Sequence, residues 1–133
     1  MTNKPIATTK TIALFEKVLE FNHARGWHPH PHDITKSIVI EAAELLELFQ
    51  WDVSDKKLGT KLKNKNIDDV QKEVADVLWY IISFCHESGI DLTEALEAKI
   101  AHNEKKYPVE QFNGHHNDEF YKRRKAEYRQ NKK

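Results

Sequence analysis

Two pairs of acidic residues stand out, because each pair lies inside a run that is otherwise almost entirely apolar. The first pair is Glu41 and Glu44, and the second is Glu73 and Asp76. In each pair the acids are three residues apart, which places them on one face of a helix. Ionised carboxylates are costly to bury without partners, and no equally regular set of Lys or Arg surrounds them. We therefore expect the four acids to lie largely inside the protein and to bind a divalent cation.

Carboxylate oxygens are the ligands of hard cations, so Mg²⁺ is the expected ion and Mn²⁺ is a second choice. Protein-bound Mg²⁺ usually keeps several waters and shares its coordination with substrate phosphates. Such a centre can activate water and hold a polyphosphate for in-line attack. One of the carboxylates would orient the attacking water or accept its proton.

The acid spacing alone also allows other interpretations. An exposed acidic stripe, or acids paired with lysines, would show the same pattern. A di-iron centre normally brings Glu-x-x-His motifs, which neither pair forms. Glycoside hydrolysis needs two acids in an open cleft rather than four acids in apolar helices.

Three aromatic residues lie near the acids in the sequence or in the preceding loop: Trp27, Trp51 and Tyr80. Each alone is more typical of a protein core. Together their flat rings could stack on a nucleobase.

Polar residues recur at helical spacing further along the chain, at Lys99, Asn103 and Lys106. Lysines so placed can neutralise phosphate oxygens, and an asparagine can donate hydrogen bonds to them. A solvated cationic face near a helix C-terminus explains the pattern equally well.

Composition narrows the class of protein. The 133 residues carry 21 basic and 21 acidic side chains, and this balance indicates no nucleic acid polymer as a partner. The single cysteine, Cys85, excludes an intramolecular disulfide and fits a reducing compartment. The first ten residues are polar, and no apolar run reaches the roughly 18–20 residues of a membrane helix. We expect a cytoplasmic protein with no membrane segment.

The elements that position these residues are predicted to be helices, because glycine and proline are scarce. The predicted helices cover residues 8–25, 34–50, 66–88 and 92–106. Residues 119–132 are expected to be either a fifth helix that packs on a partner subunit or a frayed tail. The second helix is apolar nearly all round, which predicts a central position. Asp33 is its expected N-cap, and Gly26 and Gly89 are expected to end the first and third helices.

Two segments are predicted to be loops. Alternating prolines restrict the segment from Trp27 to His32, so no helix is expected there. Its histidines, His28, His30 and His32, allow a zinc site, an ordered loop over a pocket or a solvated linker. Residues 52–66 are polar and rich in lysine, which indicates a connecting loop.

Three segments taken together resemble the MazG-like all-α nucleoside triphosphate pyrophosphohydrolases, and within them the small dCTP-pyrophosphatase-like branch. The segments are residues 38–51 (IVIEAAELLELFQW), 73–77 (EVADV) and 103–109 (NEKKYPV). The order of these motifs along the chain is specific to the family, whereas any one motif alone would be weak evidence for the resemblance. The His-Pro-His-Pro-His loop, the long separation of the two acidic pairs and the C-terminal tail depart from the pattern.

The resemblance implies an all-α bundle of four to five helices that assembles as a homodimer or homotetramer. It implies Mg²⁺-dependent hydrolysis of a nucleoside triphosphate, dCTP or a similar nucleotide, to the monophosphate and pyrophosphate. This reaction would clear non-canonical or excess nucleotides from the cell. The pyrophosphohydrolase domain would occupy residues 1–110, and residues 111–133 would be a charged C-terminal extension.

Site residues follow from the same resemblance. The catalytic metal ligands would be Glu41, Glu44, Glu73 and Asp76. The phosphate-binding residues would be Lys99, Asn103, Lys106 and Tyr107, and the base-binding residues would be Trp27, Trp51 and Tyr80. The alternative is a catalytically idle helical module that binds a nucleotide or a protein. The complete set of four acids argues against this alternative.

Overall fold

A computed structural model describes residues 9–51, 66–112, 114 and 118–131 of the chain. Within these ranges the secondary structure consists of five α-helices and no strand: α1 (Thr9–Ala24), α2 (Pro31–Glu47), α3 (Ile67–Ser88), α4 (Leu92–Lys106) and α5 (Asp118–Gln130). The all-α prediction is therefore confirmed. Apart from Asn66, the predicted lysine-rich loop lies outside the described residues.

The chain divides into two compact units, Met1–Asp91 and Leu92–Lys133, which we describe separately. The first unit contains α1, α2 and α3, and the second contains α4 and α5. No helix in the described residues is both long and apolar enough to cross a membrane.

Glycines end α1 and α3 as predicted. Gly26 has φ +66°, and the amide of the following Trp27 donates to the Asn22 carbonyl at 3.0 Å. Gly89 has φ +65°, and the amide of Ile90 donates to the Cys85 carbonyl at 2.8 Å. Both arrangements satisfy carbonyls that a helix end leaves without partners, and glycine adopts the required left-handed conformation without a Cβ penalty.

The predicted start of α2 is wrong. Asp33 lies inside the helix, and His30 is the N-cap: its ring nitrogen accepts a hydrogen bond from the His32 amide at 3.2 Å. Pro31 begins the helix, since proline suits the first helical position, where its missing N–H leaves no hydrogen bond unmade. The helix also ends at Glu47, before the expected Gln50, and residues 48–51 form turns.

The third helix, rather than the second, is central in the first unit, because α3 packs against both α2 and α1. Ile34 of α2 and Val70 and Ile82 of α3 are buried. In contrast, Val39 and Leu46 of α2 are 67% and 65% exposed. The prediction of a central α2 is wrong within this chain because much of its apolar surface has no neighbouring element to cover it.

A polar network connects α1 to α3. The Asn22 amide donates to the Ser83 hydroxyl at 2.9 Å and accepts from the Trp79 indole N–H at 3.2 Å. The buried Ser83 hydroxyl in turn donates to the Trp79 carbonyl at 2.9 Å. Each of these polar groups therefore has a partner, as the interior of a protein requires.

Aromatic packing holds the second unit together. The Phe112 ring, in the turn after α4, lies 5.1 Å from the Tyr107 ring, and 5.2 Å and 5.4 Å from the rings of Phe120 and Tyr121 in α5. The C-terminal segment is therefore a helix rather than a frayed tail, with α5 covering Asp118–Gln130, and its packing on a partner subunit stays a prediction.

Candidate metal centre and active site

Packing of α2 against α3 brings three acids into one cluster. A carboxylate oxygen from each of Glu41, Glu73 and Asp76 lies within 4.8 Å of the others. Among the described residues this is the single group of three or more His, Cys, Asp or Glu side chains that could hold a metal ion. The first residue comes from α2 and the other two come from α3, so neither helix forms the cluster by itself.

Glu44 lies next to this three-acid cluster rather than within it. Its side chain is exposed, and it lines an open groove of about 360 Å³ along α2. The groove is otherwise lined by Ile40, Ala43, Leu46, Glu47 and Gln50. A carboxylate here can reach a ligand in the groove from beside the cluster.

The acids are less buried than the sequence predicted. Glu41 and Glu73 are half-buried, whereas Glu44 and Asp76 are exposed. The expectation that all four lie largely inside the protein is therefore wrong. The expectation rested on the apolar residues that flank the acids in the sequence. It fails because the apolar surface of α2 is itself partly exposed in this chain.

Burial and mutual repulsion both act on Glu41. Its pKa is raised, first by burial and then by the negative charges of Glu44, Asp76 and Glu73. Like charges and desolvation each disfavour the ionised form, so the cluster is electrostatically unfavourable until a cation binds or a proton is taken up.

One oxygen of the cluster lacks any partner in the described part of the chain. Glu73 Oε2 is buried and accepts no hydrogen bond there. A buried carboxylate oxygen needs a donor or a cation, and an all-oxygen set of acids suits Mg²⁺ or Mn²⁺. The residues present therefore fit the metal that the sequence predicted.

The three predicted base-binding aromatics are all in the first unit, but they do not touch one another. Trp27 is 54% exposed and packs edge-on to Phe21 at 5.9 Å, and Phe21 in turn packs on Trp79 at 5.1 Å. Trp51 is 87% exposed. Tyr80 is half-buried, and no ring contact joins any two of the three within the described residues.

The histidine loop has structural partners instead of a common ligand. His28 Nδ1 lies 3.4 Å from Glu87 Oε1 of α3, and the His28 ring packs against His23 of α1. His30 caps α2, and His32 lies 3.4 Å from Asp33. These separate contacts do not favour the zinc alternative.

The predicted phosphate-binding residues all belong to the second unit. Lys99 is exposed, whereas Asn103, Lys106 and Tyr107 are half-buried. The Tyr107 amide donates to the Asn103 carbonyl at 2.8 Å. A contact that the sequence did not predict joins Lys106 to Tyr128 of α5.

Residues 36–121 match the model of the MazG-like family. Since this match spans more than half of the 133 residues, the chain belongs to the MazG-like family.

The sequence of the chain is similar to those of several dCTP pyrophosphatases. The dCTP pyrophosphatase 1 proteins of Rattus norvegicus and Mus musculus are each 34% identical over 93 residues, which are 68% of this chain and 54% of theirs. The human dCTP pyrophosphatase 1 is 30% identical over 92 residues, with the same coverage. The chain thus spans about half the length of the curated relatives it matches. These similarities confirm the predicted dCTP-pyrophosphatase-like branch.

A solved structure is similar over more of the chain. The crystal structure of a pyrophosphatase from Archaeoglobus fulgidus has 36% sequence identity and a TM-score of 0.65. The alignment covers 80% of this chain and 99% of that protein.

Proposed function

We propose that this chain is an Mg²⁺-dependent nucleoside triphosphate pyrophosphohydrolase, which converts a triphosphate and water to a monophosphate and pyrophosphate. The observation that carries the proposal is the convergence of Glu41, Glu73 and Asp76 from two helices. The pyrophosphatase relatives support the reaction class, and those that act on dCTP favour dCTP or a similar nucleotide as the substrate. In the cell such an enzyme would remove excess or non-canonical nucleotides.

The four acids have two roles in this proposal. Glu41, Glu73 and Asp76 would hold the cation, and the buried Oε2 of Glu73, which accepts no hydrogen bond from the described residues, would be available as a ligand atom. Mg²⁺, when bound, neutralises phosphate charge and lowers the pKa of water. Glu44 lies beside these ligands and faces the groove, so its carboxylate is suited to orient the attacking water and take its proton.

The remaining site residues would bind the substrate. Lys99, Asn103, Lys106 and Tyr107 are proposed to contact the phosphates, because they offer ammonium, amide and hydroxyl donors. The aromatic rings of Trp27, Trp51 and Tyr80 are proposed to stack on the base. Hydrolysis forms a bond from the water oxygen to the α-phosphorus and breaks the bond from that phosphorus to the oxygen that bridges to the β-phosphate. Pyrophosphate leaves, and the lysines would offset its charge.

A panel assay tests the activity. The purified chain is incubated with Mg²⁺ and canonical, methylated and oxidised triphosphates, and the products are separated by ion-exchange chromatography. We expect monophosphate and pyrophosphate in equal amounts, most rapidly from a dCTP-like nucleotide, and no products with a chelator. Release of no pyrophosphate from any nucleotide would overturn the proposal. Nucleotide binding without turnover would then favour the idle binding module.

Two substitutions with matched controls connect the activity to the acids. Glu44→Ala and Asp76→Ala are expected to lower kcat at least about 100-fold, since each removes a charged group from the reacting centre. Glu20→Ala on α1 and Asp68→Ala on α3 remove exposed carboxylates that belong neither to the three-acid cluster nor to the groove, and they are expected to keep turnover. Full activity of Glu44→Ala or of Asp76→Ala would remove that residue from the site.

A further inference from the structure

Lys106, the last residue of α4, lies against two tyrosine rings in the second unit. Its Nζ atom is 5.0 Å from the centre of the Tyr107 ring and 5.1 Å from the centre of the Tyr128 ring. Both distances are within the roughly 6 Å over which a ring face attracts a cation. One ring comes from the residue next to Lys106, whereas the other comes from α5.

Tyr128 is itself located by α4. Its hydroxyl oxygen lies 3.4 Å from Nε2 of His102, and the two rings pack edge to face with centres 5.7 Å apart. His102 and Lys106 are four residues apart, so they are neighbours on the same face of α4. The Tyr128 ring therefore contacts two successive turns of α4 and is half-buried there.

A lysine held in this way has lost part of its freedom before any ligand binds. A free lysine side chain has several rotatable bonds, and ordering it on an anion reduces the affinity. The ammonium group has three N–H donors, so even with two ring faces beside it at least one N–H bond can still donate to a phosphate oxygen. Contact with Tyr128 therefore prepares Lys106 for an anion instead of neutralising it.

We propose that Tyr128 is a positioning residue, which holds the Lys106 ammonium in place to bind a substrate phosphate. This rests on the proposed function, because it takes Lys106 as a phosphate ligand. Tyr128 lies beyond residues 36–121, the part of the chain that matches the family, so the family match does not include it. The C-terminal helix would then contribute to substrate binding as well as to packing.

Kinetics of three variants test the proposal. Tyr128→Leu removes the ring and is expected to raise the KM for the triphosphate about three- to tenfold, with kcat changed less than about twofold. Its inhibition constant for inorganic pyrophosphate should rise in parallel. Tyr128→Phe keeps the ring and should restore both constants to near the wild-type values. Tyr121→Leu, the matched control, removes an α5 tyrosine that packs on Phe112 and Phe120, and it should leave both constants unchanged.

A double-substitution cycle separates positioning from a general effect of α5. In a Lys106→Met background, Tyr128→Leu should raise KM no further, because the ammonium group that Tyr128 is proposed to hold is absent. Additive effects, or equal effects of Tyr121→Leu and Tyr128→Leu, would overturn the proposal. If the wild-type chain hydrolyses no triphosphate, the proposed function fails by itself, and pyrophosphate binding by calorimetry takes the place of KM in the same cycle.

The wild-type chain offers a test that does not depend on activity or on a variant that folds. The Lys106 Nζ atom lies 5.0 Å and 5.1 Å from two ring centres, and the ε-carbon is bonded to it. Ring currents should therefore shift the NMR resonance of the ε-carbon protons upfield of those of the other lysines. Tyr128→Phe should keep this shift, and Tyr128→Leu should reduce it. A Lys106 resonance at the position of exposed lysines in the wild-type chain would overturn the proposal.

Discussion

The carboxylates at the junction of α2 and α3 dominate the chemistry at the scale of single residues. Three of them converge within 4.8 Å, and Glu73 Oε2 accepts no hydrogen bond from the described residues. Both facts make the cluster unfavourable without a cation, because repulsion and desolvation act in the same direction. Acids held close together in this way lower the stability of the folded chain but favour the binding of a cation. Both effects can be measured as changes in the free energy of unfolding.

The pH dependence of stability should report the raised pKa of Glu41. Above its ordinary value of 4.5, the folded chain holds a proton on Glu41 more often than the unfolded chain does. The contribution of Glu41 to stability is therefore largest at acidic pH and is lost as the pH rises through the raised pKa. In a chelator, we expect the wild-type unfolding temperature to fall more steeply between about pH 4.5 and neutrality than that of Glu41→Gln. Parallel profiles would show that Glu41 titrates normally.

Replacing the charge of Glu73 should separate stability from metal binding. Glu73→Gln removes a like charge, so we expect a higher unfolding temperature than the wild type in a chelator. In the wild type, Mg²⁺ at 100 times its dissociation constant should add about 2.7 kcal/mol to the free energy of unfolding. The variant should lose most of this gain, whereas Glu87→Gln, on the same helix, should keep it. An equal gain in Glu73→Gln would place the ion elsewhere.

At the scale of elements, local signals predicted most helix ends, and the two clear misses are the start and the end of α2. Gly26 and Gly89 end α1 and α3 in the left-handed conformation, as predicted. Asn66 is the N-cap of α3, which begins one residue after its predicted start, and asparagine is a common residue at the N-cap position. The start of α2 was missed because histidine is not a customary N-cap residue. The His30 ring nitrogen acts as the acceptor only because Pro31 begins the helix immediately after it.

The hydrogen bonds of Asn22 should stabilise the contact between α1 and α3. Asn22→Ala removes the acceptor of the Trp79 indole N–H and one partner of the Ser83 hydroxyl. Leaving part-buried polar groups without partners should lower the free energy of unfolding by about 1–3 kcal/mol, measured by urea denaturation. Glu20→Ala, an exposed position on α1, is the control and should change it by less than about 0.5 kcal/mol. If Asn22→Ala also changes the free energy of unfolding by less than about 0.5 kcal/mol, water molecules replace the hydrogen bonds of Asn22.

At the scale of the whole molecule, the exposed apolar residues of α2 point to assembly. Val39, Ile40 and Leu46 are all more than half exposed, and exposed apolar surface of this kind often marks an interface. We propose that copies of the chain associate through this face as a homodimer or homotetramer.

Light scattering coupled to size-exclusion chromatography would measure this association. We expect a mass of two or four chains of 15.6 kDa for the wild type. Val39→Lys should lower the mass, because a charged side chain is costly to bury in an apolar interface. Lys36→Ala, an exposed position on the same helix, should not change it. A monomeric wild type at all concentrations would refute assembly through α2.

The sequence by itself determined the first four helices and which two of them carry the acids. Helix formation depends on short-range periodicity, caps and glycines, and these are visible in order along the chain. Only the tertiary structure decided that Glu44 lies outside the group formed by Glu41, Glu73 and Asp76, that α3 is central, and that Tyr128 contacts Lys106. Such contacts depend on how helices distant in sequence pack against each other, which no local pattern encodes.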